Sequence, residues 1–229
     1  MKLTRNRAIA LGCAIVAIVG LTAGAYKARV AYISHEGCES VRAYEKSVGP
    51  VQVIGKGAKR ITVIGDSYST GDMLSDRADA WVDDFASEQD ATVSVLAQGG
   101  TGYTNAGFCG DSTFGSRVRQ VAATDPQLVI VEGGLNDTAA TEDEERTAAE
   151  RVLRSLRGHN VVVIGPVDVP VLEGEGAVDL ALSGAARAEG ARYISALGWP
   201  IALGADKKHP TAAGHAEFAQ RVAAAIASA

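Results

Sequence analysis

Four short segments hold residue types that together could carry out acyl transfer. The first is Gly65-Asp66-Ser67-Tyr68-Ser69, a turn-forming stretch directly after the apolar run Ile61–Ile64. A serine hydroxyl is a weak nucleophile until a neighbouring base takes its proton. The second segment, Asp206-Lys207-Lys208-His209-Pro210, offers an imidazole base. Asp206, three residues earlier, can hold the ring in the right tautomer and stabilise its charged form. His215 competes locally but falls inside a predicted helix, and His35 and His159 lack comparable polar neighbours. The third segment, Gly99-Gly100-Thr101-Gly102, lets a backbone N–H approach a ligand without an intervening Cβ. The fourth, Gly134-Leu135-Asn136-Asp137, supplies the Asn136 amide. With the Ser67 N–H, these donors could face the oxygen of a tetrahedral intermediate. Taken singly, each segment also reads as an ordinary turn, solvated loop or helix cap.

Such a constellation needs elements to bring it together. Arg60–Ile64, Thr92–Leu96, Leu128–Glu132 and Val161–Gly165 read as strands, with Arg192–Ser195 a weaker fifth. Their near-continuous Val and Ile content fits strands covered on both faces. Helical spacing appears at Trp81, Val82, Phe85 and Ala86; at Val118, Val121 and Ala122; and at Val178, Ala181, Leu182 and Ala185. Glu142–Arg157 places Ala148, Val152, Leu153 and Leu156 on one side, with a capping box of Thr141 and Glu144 at its start. Ala212–Ala227 forms another amphipathic helix, preceded by Pro210. The alternation predicts an α/β domain with a mostly parallel sheet between helices. Ligands in such folds bind beyond the carboxyl ends of the strands. Gly65–Asp72, Gly99–Asp111 and Gly133–Thr138 all follow predicted strands and would converge there.

In this order the four blocks resemble those of the SGNH, or GDSL-like, hydrolase family, over about residues 60–227. The resemblance implies a flavodoxin-like three-layer α/β/α sandwich. It implies Ser67 as nucleophile, His209 as general base and then proton donor, and Asp206 as the group orienting His209. The Ser67 N–H, the Gly100 N–H and the Asn136 side chain would form the oxyanion hole. Gly99 is the alternative to Gly100, which aligns with the glycine ending the family's second block. The implied substrate is an acyl ester, and no metal or other cofactor is required. There is neither a dinucleotide-binding GxGxxG fingerprint nor a P-loop at a suitable strand end. Ser69 stands where a GxSxG elbow would have its second glycine, so the ordinary α/β-hydrolase description does not apply. Tyr68, Tyr103, Phe108 and Trp199 are candidate pocket walls. The Pro166–Ala177 connection is short and carries Asp168, Glu173 and Glu175, unlike a broad apolar lid. This favours short acyl groups, such as acetyl esters on cell-surface carbohydrate. Lipid esters, thioesters, acyl transfer to a saccharide and an inactive surface-binding module are the competing readings.

The amino terminus bears on location. Lys2, Arg5 and Arg7 precede the apolar run Ala8–Gly24, and Ala23-Gly24-Ala25 is a small-residue pattern before Tyr26. Residues 1–25 therefore read as a cleaved export signal or a short membrane anchor, and the protein as secreted or attached to the cell envelope. Residues 26–59 read as a stem or wrapping segment, and 60–229 as the catalytic domain. The chain has a formal net charge of -5. Without the first 25 residues it loses three basic groups and no acids, reaching -8. No concentrated basic footprint marks it for nucleic acid. Apart from Cys13, only Cys38 and Cys109 are available, which in an oxidising compartment predicts one disulfide between them.

Overall fold

The structure, a computed structural model, describes the backbone of residues 2–228 and the side chains of residues 25–228. Its six-stranded sheet is built from β1 (Gln52–Ile54), β2 (Lys59–Gly65), β3 (Ala91–Ala97), β4 (Leu128–Glu132), β5 (Val161–Ile164) and β6 (Arg192–Ile194), in the order β1-β3-β2-β4-β5-β6. β1 runs antiparallel to β3, and the other pairings are parallel. The alternation of side chains along a strand explains why these runs are apolar throughout. Ile61, Val63, Ile130, Val162 and Ile164 face one helical layer, whereas Ile64, Val129, Val131, Val161 and Val163 face the other. Each such side chain, fully buried, contributes about 1.5–3 kcal/mol.

The first layer holds α3 (Trp81–Glu88) and α7 (Ala212–Ala227), joined through the edge-on packing of Trp81 on Phe218 at 5.5 Å between ring centroids. The second holds α4 (Phe114–Val121), α5 (Glu142–Ser155) and α6 (Glu175–Glu189). The predicted capping box is present: Thr141 accepts from the Glu144 N–H while the Glu144 carboxylate accepts from the Thr141 N–H. The α4 face differs from the expected one. Phe114, Arg117 and Val121 point inward, and Val118 is only partly buried. The face is turned because Arg117 reaches carbonyl oxygens at the strand ends, at Gly65 and Leu96.

Before the sheet lies α1 (Lys2–Val48), which takes in residues 2–25 of the segment expected as a signal or anchor and much of the 26–59 segment expected as a stem or wrapping. Residues 25–33 are exposed on all sides. From Ser34 onward, the half-buried positions Ser34, Gly37, Cys38, Val41, Tyr44 and Val48 recur at helical spacing, so one stripe meets the domain. The predicted Cys38–Cys109 disulfide is formed, with 4.7 Å between Cα atoms. Cys13 and the apolar run Ala8–Gly24, on which the expectation of a signal or anchor rests, lie outside the residues whose side chains are described. Among the described residues no helix is long and apolar enough to cross a membrane.

Candidate active site

The parallel register sets three strand ends level: Gly65 lies opposite Ala97, and Ile64 opposite Val131. The loops leaving these ends carry three of the four candidate segments. After β2 the chain turns at once into α2 (Ser67–Thr70), whose cap Asp66 accepts a hydrogen bond from the Tyr68 N–H at 2.9 Å. Ser67 thus begins a helical turn at the edge of the sheet. The fourth segment arrives in the connection before α7. Tyr68 Oη donates to the Lys208 carbonyl oxygen at 2.7 Å and ties that connection to the serine turn.

His209 Nε2 lies 3.1 Å from Ser67 Oγ, and His209 Nδ1 lies 2.5 Å from Asp206 Oδ2. The other Asp206 oxygen accepts from the backbone N–H groups of Lys208 and His209, each at 3.1 Å. Burial opposes ionisation of Asp206, but the bonds from the His209 ring and these two N–H groups outweigh it and hold the carboxyl below its ordinary value. The competing His215 is fully buried in α7, with Nδ1 accepting from the Trp81 N–H. Burial pushes it down to about 4, so it packs as a neutral core ring.

The donor side is assembled from the other two loops. Gly100 has φ +77°, a left-handed conformation that favours glycine. Among the described residues neither the Ser67 N–H nor the Gly100 N–H donates to a backbone carbonyl. Asn136 Nδ2 donates to the Thr101 carbonyl oxygen at 2.9 Å and to Asp66 Oδ2 at 3.1 Å, while its Oδ1 accepts from Lys208 Nζ at 3.1 Å. Asp137 caps no helix as the sequence allowed. Its carboxylate gathers the N–H groups of Tyr103, Thr104 and Asn105 and the Thr104 hydroxyl.

Close to Ser67 lies a cluster of buried ionisable side chains, of which only Asp66 stood out in the sequence. Asp66 is buried and pushed up to about 6, chiefly by desolvation. Glu132, at the end of β4, is buried beside it and held well above its ordinary value by burial and by Asp66. Glu132 Oε2 accepts from Ser69 Oγ at 2.6 Å, and Ser69 Oγ accepts from Trp81 Nε1. The residue in the missing-glycine position therefore anchors the turn that carries Ser67. Arg117 supplies the nearby cation, lowered to about 10 by burial.

The four aromatic candidates have different surroundings. Tyr68 and Tyr103 are buried, although the edge of Tyr103 lines a groove. Trp199 packs on Phe218, and Phe108 is 45% exposed beside Gly100. The groove, of about 940 Å³, starts at Asn136 and is lined by Thr104, Asn105, Thr147 and Arg151 among others. A second recess of about 340 Å³ adjoins His209 and includes Met73, Leu74, Ser75, Asp79 and Thr211.

Comparison with known proteins gives the family and the fold. The model of the GDSL-like Lipase/Acylhydrolase family matches residues 63–217. A GDSL lipase of Mycobacterium tuberculosis is 29% identical over 191 residues, which cover 72% of this chain and 80% of that protein. A carbohydrate acetylesterase from Sinorhizobium meliloti superposes with a TM-score of 0.63 at 15% identity, over 74% of this chain and 99% of its own. A family two carbohydrate esterase from Cellvibrio japonicus gives 0.64 at 16% identity, over 75% and 61%. At these identities the two structures share the fold.

Proposed function

Because the chain belongs to the GDSL-like lipase/acylhydrolase family and is a carboxylic ester hydrolase, we propose that it cleaves short-chain O-acyl esters of carbohydrate through an acyl-serine intermediate at Ser67. The observation that carries the mechanism is the chain of contacts from Ser67 Oγ through the His209 ring to Asp206. Ser67 Oγ attacks the ester carbonyl carbon as its proton passes to His209 Nε2. The carbonyl oxygen becomes an oxyanion facing the N–H groups of Ser67 and Gly100 and the Asn136 amide. Asn136 exchanges one of its two present bonds for this contact, the longer one to Asp66 being the weaker. The carbon–oxygen bond to the alcohol then breaks, and His209 returns the proton to the departing oxygen. Water, deprotonated by His209, attacks the acyl-serine, releases the acid and restores Ser67.

Substrate preference is argued from the two recesses. For His209 to protonate the leaving alcohol, that alcohol must lie on the His209 side. The recess there offers Ser75, Asp79 and Thr211 beside Met73 and Leu74, a lining suited to a hydroxylated alcohol. Hydroxyl and amide groups also line the groove at Asn136. Both recesses are open and mix polar with apolar lining, so neither is the closed apolar channel that a long acyl chain requires. The named carbohydrate esterases with the same fold agree with this preference. The amino-terminal pattern adds export to the cell envelope or beyond it.

Ser67→Ala tests the reading on acetylated saccharides, aryl acetates, long-chain lipid esters and thioesters. Turnover should fall by about a thousandfold or more, and wild type should prefer acetylated saccharide. Undiminished turnover in the variant would remove Ser67 from the reaction. A preference for long acyl chains would overturn the substrate class alone.

A further inference from the structure

The loop carrying Gly100 is gripped from outside the sheet. The Phe108 ring lies between Gly37 of α1 and Gly100: a Cβ at Gly37 would stand 2.6 Å from ring carbons Cδ1 and Cγ, and one at Gly100 would stand 3.0 Å from Cε2. Neither glycine has a side chain to cushion the contact, so the ring seats against backbone on both sides. Cys109, the next residue, is bonded to Cys38, the neighbour of Gly37. The wedge and the covalent tie thus act at one point.

A second arm runs from Tyr44, two turns further along α1. The Arg77 guanidinium lies 4.2 Å from the centroid of the Tyr44 ring, and Arg77 Nη1 donates to Asp72 Oδ1 at 2.5 Å. The other Asp72 oxygen abuts Gly99, where a Cβ would be only 2.1 Å away. The gap between α1 and the loop is nearly filled, at about 20 Å³. The two arms end on consecutive residues, Gly99 and Gly100.

We propose that Phe108 is a positioning residue for ester hydrolysis: held by α1 through Gly37 and the Cys38–Cys109 bridge, it aims the Gly100 N–H at the oxyanion. This rests on the reading of Gly100 as an oxyanion donor. The balance of effects favours aim over mere packing. Phe108 is 45% exposed, so truncating it forfeits only part of the burial of a core aromatic. A shift of about 1 Å in a donor's position, by contrast, costs about a hundredfold in rate. The clamp also makes hydrolysis depend on an oxidised bridge, which an exporting cell forms only after the chain leaves the reducing cytosol.

The test measures kcat and KM on an aryl acetate, per site titrated with a fluorophosphonate, well below each variant's melting temperature. Phe108→Ala should lower kcat by about ten- to a hundredfold while KM changes less than about twofold, and Phe108→Tyr should restore most of the rate. The paired change Cys38→Ser and Cys109→Ser should lower kcat in the same way. So should dithiothreitol on wild type, which reduces the bridge to two thiols as it is oxidised to its cyclic disulfide. If Phe108→Ala melts earlier yet keeps its kcat, the ring is structural only and the proposal is overturned. Incorporating glycolic acid in place of Gly100 replaces its N–H by an ester oxygen and removes only that donor, without adding a Cβ beside Phe108. A slow ester variant beside a fast Phe108→Ala refutes the clamp alone, whereas an ester variant as fast as wild type refutes Gly100 as an oxyanion donor.

Discussion

Asn136 carries one oxygen and one amino group on its side chain, and its neighbours decide which points where. Thr101 and Asp66 present only acceptors to Nδ2, while the Lys208 ammonium can only donate to Oδ1. All three agree on a single orientation, so Lys208 holds the amide in the sense that the proposed oxyanion role requires. Replacing Lys208 by Met should therefore lower kcat about tenfold, the scale of one charge-assisted hydrogen bond, and Lys208→Arg should recover much of it. Steady-state kinetics on a small ester will show this, and an unchanged kcat in Lys208→Met would refute it. Ser67, Asp206 and His209 stood out in the sequence because nucleophile, base and orienting carboxylate must be particular residue types, two of them close together. Lys208, Glu132 and Arg117 did not. Lys208 matters through a partner 72 positions away, and the other two matter because they are buried, which local pattern does not reveal in a charged residue.

At the scale of the element, α5 buries a carboxyl group, that of Glu145. Glu145 is 1% exposed, and neither of its oxygens has a hydrogen-bond partner of good geometry among the described residues, although Thr104 is nearby. Burial first, and the charge of Asp137 second, push it up to about 9 from its ordinary 4.5. Between those values the folded protein holds a proton that the unfolded chain has released, so stability is lost as pH rises through that window. Glu145→Gln should remove this dependence, raising the melting temperature by at least about 3 °C near pH 8 and hardly at all near pH 4. Parallel melting curves for variant and wild type across that range would refute it. The elements themselves were legible to different degrees. The β-branched runs of β2, β4 and β5 could be read because both faces are buried, and α5 announced itself through its capping box. In α4 the inward face was misread because an arginine occupies a core position. The long α1 was not read as a helix because its exposed residues 25–33 show no apolar stripe.

For the whole molecule, α1 divides functionally at Ser34. A chain beginning at Ser34 should melt within about 2 °C of one beginning at Tyr26, since only exposed side chains are lost. A chain beginning at Pro50 loses the disulfide and the Tyr44 contact, and should melt lower by about 5 °C or more. Scanning calorimetry of the oxidised proteins will separate these, and equal melting of all three would show that α1 adds nothing. The converging loops were foreseeable from strand order and the bridge from the two cysteines, but the seating of Phe108 between Gly37 and Gly100 was not, because it depends on packing between distant segments. The distance along the chain between Ser67 and His209 has a further consequence. A ribosome adding 5–20 residues per second delivers His209 roughly 7–28 s after Ser67. Until the connection before α7 folds back onto Tyr68, the nascent polypeptide carries a serine with no base.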